Sequence, residues 1–274
     1  MITRDDIWIV IPALNEALRI RGVVEGALRA CPNVIVIDDG SDDGTGEVIA
    51  DLPVVLLRHA QRMGKGAGLR DGFAEALRRG ARGVITMDGD GQHEASDIPR
   101  LLAAANAYPG HIVIGARLRK RASQPGYRRM ANEFGDWGIA WGCGFLIADT
   151  QSGQRFYPAS VAALGEVPGE DFVFEAQILI SAARQLGVRC VSIPIESRYQ
   201  GAAPDGPKFR KSHFRPLRDL YRITSHVVGQ VWTHGHVVRE YRRTRNCPAV
   251  IYDPAANPSP DAAGFDSAHA PTRT

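Results

Sequence analysis

The stretch "ITMDGDGQHEASDIPRLL", residues 85–102, places Asp88 and Asp90 one glycine apart, with Gln92 and His93 directly behind them. Just ahead, "GVITM" is short, β-branched and apolar, which reads as the end of a strand inside a sheet. Two carboxylates this close repel each other unless a positive charge lies between them. A strand-end D-x-D can hold one divalent cation through carboxylate oxygens, with diphosphate oxygens completing the shell. A plain tight turn is the alternative, because Asp and Gly are turn formers. The chemistry this stretch offers is the handling of a metal-bound nucleoside diphosphate.

Three other polar clusters follow apolar runs in the same way. "PALNE" ends the run "IWIVI", "DDGSDDGT" ends "VIVID", and "RHAQRMGKG" ends "VVLLR"; a fifth run, "HIVIG", leads to Arg117. Helix-like segments lie between them at 16–30, 45–51, 66–79 and 96–107. A β-α order with nearly continuous apolar strands predicts a parallel sheet covered on both faces. Ligands bind such sheets at the carboxyl ends of the strands, so the four clusters gather into one site. Asp38 then either faces a nucleotide base or ribose or belongs to an exposed turn. The loop from Asp39 begins like a calcium loop, but its twelfth position is Ala50 rather than Glu. "GKGAG" lacks the Ser or Thr that follows Lys in a P-loop and is not G-x-G-x-x-G, so neither phosphate fingerprint applies.

Size and charge narrow the class. The 274 residues are 44% hydrophobic and 23% charged, enough for one large α/β domain or two small ones. The formal net charge of +3 is too small to argue for nucleic acid as a partner. The basic excess lies near the C-terminus, with ten Lys or Arg against three Asp or Glu between Asp205 and Arg245. Four cysteines without metal-ligand spacing suit a reducing compartment. The N-terminus shows no cleavable leader, and no run approaches the ~20 apolar residues of a spanning helix. We expect a cytoplasmic protein of three parts: a domain at 1–225, a helical extension at 226–250, and a disordered tail at 251–274.

"IPALNE", "VIDDGSDDGT", "RMGKGAGLRDGF", "MDGDGQH", "IGAR", "DTQSGQRFYP" and "FVFEAQILISAARQLGVRCVSIPI" occur in this order. The series resembles family 2 glycosyltransferases of the GT-A fold, and within them the dolichol-phosphate mannose synthase and polyprenyl-phosphate sugar synthase group. The resemblance spans about residues 5–225 and implies a Rossmann-like, mixed but mostly parallel sheet flanked by helices. It also implies an inverting cell-envelope glycosyltransferase with a nucleoside-diphosphate sugar donor, Mg²⁺ or Mn²⁺, and a polyprenyl phosphate acceptor.

Carried onto this chain, the resemblance implies that Pro12, Ala13, Asn15 and Glu16 line the nucleoside pocket, with Asp38 and Asp39 at base and ribose. Lys65 lies near the nucleotide, and Asp88, Asp90 and Gln92 surround the metal. Arg117, with Arg128, Arg129 and Arg198, faces the acceptor phosphate. Residues 149–155 wall the transferred sugar, and Glu175 sits on a helix beside it. Asp90, Arg117 and Lys65 carry the catalysis. Gly89 and Gly91 replace the group's Ala and Leu, and His213 stands where it has Lys.

Many members append membrane helices. Here "KFRKSHFRPLRDLYRI" offers instead a basic amphipathic segment, suited either to an anionic bilayer or to packing on the domain. The expected location is therefore peripheral, at the inner face of the membrane, with room for a membrane-embedded partner protein. Two other readings stand beside this one. In one, a glycan or lipid hydroxyl is the acceptor and Asp171 of "GEDF" is the base. In the other, the chain binds nucleotide sugars without catalysis.

Overall fold

Continuous β-branched and aliphatic runs become strands where the sequence places them: β1 (Ile7–Ala13), β2 (Val34–Asp38), β3 (Val55–Arg58), β4 (Gly83–Thr86) and β5 (Ile112–Ala116). The computed structural model describes residues 1–118, 126–165, 167, 172–195, 229 and 237–253. It adds β6 (Arg155–Pro158), β7 (Cys190–Pro194) and β8 (Val250–Ile251) to make one sheet, ordered β3-β2-β1-β4-β6-β5-β7-β8. β6 runs antiparallel between β4 and β5, and the other described pairings are parallel. The expected α/β class, a mixed and mostly parallel sheet flanked by helices, is what forms.

The helices are α1 (Ile20–Ala30), α2 (Lys65–Arg78), α3 (Ile98–Ala107), α4 (Gly126–Cys143), the single turn α5 (Ala159–Ala162), α6 (Phe172–Leu186) and α7 (Val237–Asn246). Alternation along β1 sends Ile9 and Ile11 to one core, with Ile20 and Val24 of α1 and Ile98 and Leu101 of α3. Val10 points to the other core, with Phe73 of α2, Ile139 of α4 and Phe174 of α6. α2 lies close to the sheet because it shows glycine there. A Cβ at Gly72 would come 2.4 Å from Val10 Cγ1.

Three boundaries differ from expectation. The helix expected at 45–51 is only a 3₁₀ turn at Glu47–Ile49, following Gly44 and Gly46, and glycine disfavours helix. α1 starts at Ile20 rather than Glu16; the Glu16 carbonyl takes the Arg19 and Ile20 N–H groups in a turn ahead of it, while the Glu16 N–H is held by Thr45 Oγ1 at 2.8 Å. Residues 251–253, expected in the tail, belong to the fold. Ile251 pairs with β7, Tyr252 packs edge-on against Tyr108 at 5.4 Å, and Asp253 meets Arg100. The segment before it joins the same unit, with α7 packing on α4 and β8 extending the sheet. Among the described residues no helix is long and apolar enough to cross a membrane. The basic segment 208–223 lies outside the described residues.

Candidate active site

The carboxyl ends of β1 and β2 are stitched together by their loops. Pro12 and Ala13 close β1 beside Ile37 and Asp38. Asn15 adopts a left-handed φ of 56°, uncommon outside glycine, which functional loops tolerate when neighbours hold it. Its N–H donates to Ser41 Oγ (3.0 Å), and its side-chain oxygen accepts the Asp42 N–H (3.1 Å). Ala17 N–H reaches Asp43 in the same loop, and Glu16 is buried behind it.

The two aspartates after β2 have different surroundings. Asp38, 1% exposed, accepts the Ser41 N–H on Oδ1. Its Oδ2 lies 3.2 Å from Arg58 Nε, an ion pair without hydrogen-bond alignment, and Arg58 also pairs with Glu47 at 2.8 Å. Asp39 accepts the Met63 and Gly64 N–H groups, each at 2.8 Å, and faces His59 at 2.7 Å. Asp39 therefore organises the loop leading into α2.

That loop delivers Lys65 to the middle of the site. Gly64, at φ 94°, caps α2, and Lys65 Nζ reaches Asp88 Oδ1 at 2.8 Å and Glu175 at 3.2 Å. Asp88 follows β4 and Glu175 lies near the start of α6, so one ammonium joins three elements. Burial disfavours the Lys65 charge, but the two carboxylates hold its pKa above the ordinary lysine value. Burial would likewise push Asp88 up, yet Lys65 and His93 hold it well below the usual carboxylate range. His93 Nε2 stands 3.2 Å from Asp88 Oδ2. The chain at Gly153 presses so close that an added Cβ would sit 2.4 Å from that oxygen.

Asp90 is the other half of the pair. Burial, then the charge of Asp88, raises its carboxyl above the ordinary value. Gln92 donates to it from both backbone and side chain, at 3.0 and 2.7 Å. Among the described residues no group of three or more His, Cys, Asp or Glu side chains is arranged to hold an ion alone. Two carboxylates and one amide oxygen nevertheless fit Mg²⁺ or Mn²⁺, which take one or two carboxylates together with phosphate oxygens and water. The raised Asp90 carboxyl marks the negative charge such an ion would offset.

On the far side of β6, Arg117 makes a two-pronged pair with Asp149, Nε to Oδ2 at 2.8 Å and Nη2 to Oδ1 at 3.0 Å. Burial opposes the Asp149 charge, and Arg117 more than offsets it, so the carboxyl stays below its ordinary range. Arg155, expected on the sugar wall, is instead buried behind it at 1% exposure. Its guanidinium donates to the Ser152, Thr150 and Glu175 carbonyls and to the Tyr157 hydroxyl. That ties the 149–155 turn to α6, beneath Glu175.

The fold thus brings Pro12, Ala13, Asn15, Glu16, Asp38, Asp39, Lys65, Asp88, Asp90, Gln92, Arg117 and Glu175 to one edge region. Arg128 and Arg129 fall within α4, but their side chains lie outside the described residues, as do Glu170, Asp171, Arg198 and His213. The sequence reading gives no role to His59 or His93, although both lie inside the polar clusters, His59 directly after β3 and His93 behind the aspartate pair.

The model of the family described as Glycosyl transferase family 2 matches residues 8–164. The undecaprenyl-phosphate mannosyltransferase of Micrococcus luteus is 32% identical over 200 residues, 68% of this chain and 81% of that protein. The polyprenol monophosphomannose synthase of Mycolicibacterium smegmatis is 29% identical over 201 residues, 68% of this chain and 75% of the relative. Among solved structures, glucosyl-3-phosphoglycerate synthase from Mycobacterium tuberculosis, in complex with Mn²⁺ and uridine-diphosphate, superposes with a TM-score of 0.57 at 20% identity. That match covers 84% of this chain and 79% of the other.

Proposed function

The chain belongs to glycosyl transferase family 2, and on that premise we propose that it moves a sugar, with inversion, from a nucleoside diphosphate to a polyprenyl phosphate. The observation that carries this is Lys65 braced between Asp88 and Glu175 at the strand ends, with Arg117 beyond β6. The donor's diphosphate would lie against Lys65, Asp88, Asp90 and Gln92, its nucleoside among Pro12, Ala13, Asn15, Glu16, Asp38 and Asp39. Mg²⁺ or Mn²⁺ held by Asp88, Asp90 and Gln92 would supply positive charge to the departing diphosphate. Lys65 adds to that charge from a fixed position, which is electrostatic help aimed at the leaving group.

The acceptor chemistry explains why arginines and not a base would complete the site. A phosphate monoester has its second pKa near ~6, so at neutral pH it is largely a dianion and already a nucleophile. It needs only to be held in line with the anomeric carbon. Arg117 offers a planar fork of donors for this, with Asp149 fixing its orientation. Arg128, Arg129 and Arg198 are the further candidates. The names of the two relatives above, an undecaprenyl-phosphate mannosyltransferase and a polyprenol monophosphomannose synthase, support a polyprenyl phosphate as the acceptor. We place the enzyme at the inner face of the membrane, held there by its lipid acceptor and by the basic segment, with a membrane-embedded partner protein as a further candidate contact.

The test is transfer from labelled UDP- and GDP-sugars to a short-chain polyprenyl phosphate, with Mn²⁺ or Mg²⁺ present or chelated. We expect metal-dependent product with the phosphate and none with the matching polyprenol. Product with the polyprenol alone would overturn the phosphate acceptor.

A further inference from the structure

At the end of β3, His59 lies between two carboxylates from other elements. Its Nδ1 is 2.7 Å from Asp39 Oδ1, just past β2, and its Nε2 is 2.9 Å from Asp71 Oδ2 on α2. An ionised carboxylate only accepts hydrogen bonds, so a ring between two of them is satisfied when both nitrogens carry protons. The ring is 8% exposed, whereas Asp71 is half exposed. Asp39 hands the contact on: its Oδ1 takes the Met63 N–H and its Oδ2 the Gly64 N–H. Those two residues immediately precede Lys65.

The next residue touches the same loop. Gly40 has φ 73°, and a Cβ built there would lie 2.6 Å from the Gln61 carbonyl carbon. The backbone at 61–64 therefore packs against both Gly40 and the Asp39 carboxylate. We propose that His59, as an imidazolium bonded at both nitrogens, is a positioning residue that orients Asp39 against the Met63 and Gly64 amides and so sets where Lys65 begins α2. It acts through Asp39 and the backbone, and the inference holds whichever acceptor the enzyme uses.

The charged groups facing the ring are Asp39 from the β2 side and Asp71 from α2. Burial disfavours the imidazolium, but the two carboxylates outweigh it and raise the His59 pKa above the ordinary histidine value. A raised histidine pKa contributes order that is fully present below the unfolded pKa of ~6.5 and is lost as pH rises through the folded value. The loop before Lys65 should loosen on the alkaline side.

Nitrogen NMR of the full chain reads the ring directly, and amide exchange at one fixed pH reads the loop. We expect the His59 ring to titrate above the ordinary histidine value, with both nitrogens protonated at pH 6. In Asp71→Asn the ring should titrate at lower pH than in wild type. In His59→Gln, exchange at Met63 and Gly64 should quicken by tenfold or more, with Val10 and Ile11 unchanged, and affinity for UDP or GDP with Mn²⁺ should fall. A ring nitrogen without its proton at pH 6, or unchanged exchange at Met63 and Gly64, overturns the proposal. Should His59→Gln not fold, an unchanged His59 titration in Asp71→Asn overturns it equally. The ring and exchange readouts do not depend on sugar transfer, so they stand apart from the test of the proposed reaction.

Discussion

Lys65 Nζ stands 2.8 Å from Asp88 Oδ1, which joins the first residue of α2 to the loop after β4 across the mouth of the site. The same ammonium meets Glu175, so removing it leaves the largely buried Glu175 carboxylate facing Asp88, which keeps only His93. Leaving such groups unpaired costs about 1–3 kcal/mol.

Lys65→Ala should therefore lose on two counts. Unfolding by urea should show a stability loss of that order. The transfer rate should fall by about 10²–10³-fold, the range for removing one preorganised donor from a charge-stabilising site. A variant within threefold of wild type in rate would remove Lys65 from the reaction.

Asp90→Asn separates function from folding. Burial and the Asp88 charge both penalise the Asp90 carboxylate, so a neutral amide should leave stability unchanged or slightly improved. Mn²⁺-dependent nucleotide affinity, measured by calorimetry, should largely disappear. Undiminished metal-dependent binding would show that the ion is held elsewhere.

Arg117→Ala should lose transfer while donor affinity stays nearly constant, because Arg117 lies beyond the nucleotide clusters. A large loss of nucleotide binding would move it to the donor side. The pair with Asp149 adds an acid-stability signature. Asp149 has a lowered pKa in the fold, so its contribution is present above the unfolded carboxylate value of ~3.9 and is lost as pH falls through the folded one. Without Arg117 the folded pKa rises toward or above the unfolded value, so urea midpoints taken from pH 7 to pH 3 should fall less on acidification than in wild type. A coincident acid profile would mean that the pair does not persist in solution.

The parts legible in the sequence were those with a local cause. β2 matches "VIVID" residue for residue, because five consecutive buried positions leave no other reading. Asp88 is a candidate from the sequence because polar residues at a strand end mark a site in this kind of sheet, whereas Lys65 is a candidate only through the resemblance. What stayed hidden depends on partners distant in sequence. β6 is four residues that pair antiparallel with both β4 and β5, and "RFYP" has no alternation to announce it. Arg155, which the resemblance places on the sugar wall, bonds mostly to backbone carbonyls, which have no sequence signature. Tyr252 was assigned to the tail because its cover, Tyr108, lies across the sheet edge.

The choice of acceptor can be tested through Asp171, which lies outside the described residues and is judged by its chemistry alone. If the nucleophile is a phosphate dianion, no proton has to be removed during transfer. Asp171→Asn preserves size, and Asn caps a helix as well as Asp does, so a structural role ahead of "FVFE" would survive the change. If the acceptor is a hydroxyl and Asp171 its base, the amide cannot take the proton. The rate should then fall by the ~10²–10⁴-fold typical of losing a general base. Wild type and variant should be compared for transfer to a short-chain polyprenyl phosphate, with donor affinity measured alongside. We expect a loss of less than about tenfold, well short of that general-base range. A drop of about a hundredfold or more with donor binding intact would instead assign Asp171 the proton and the acceptor a hydroxyl.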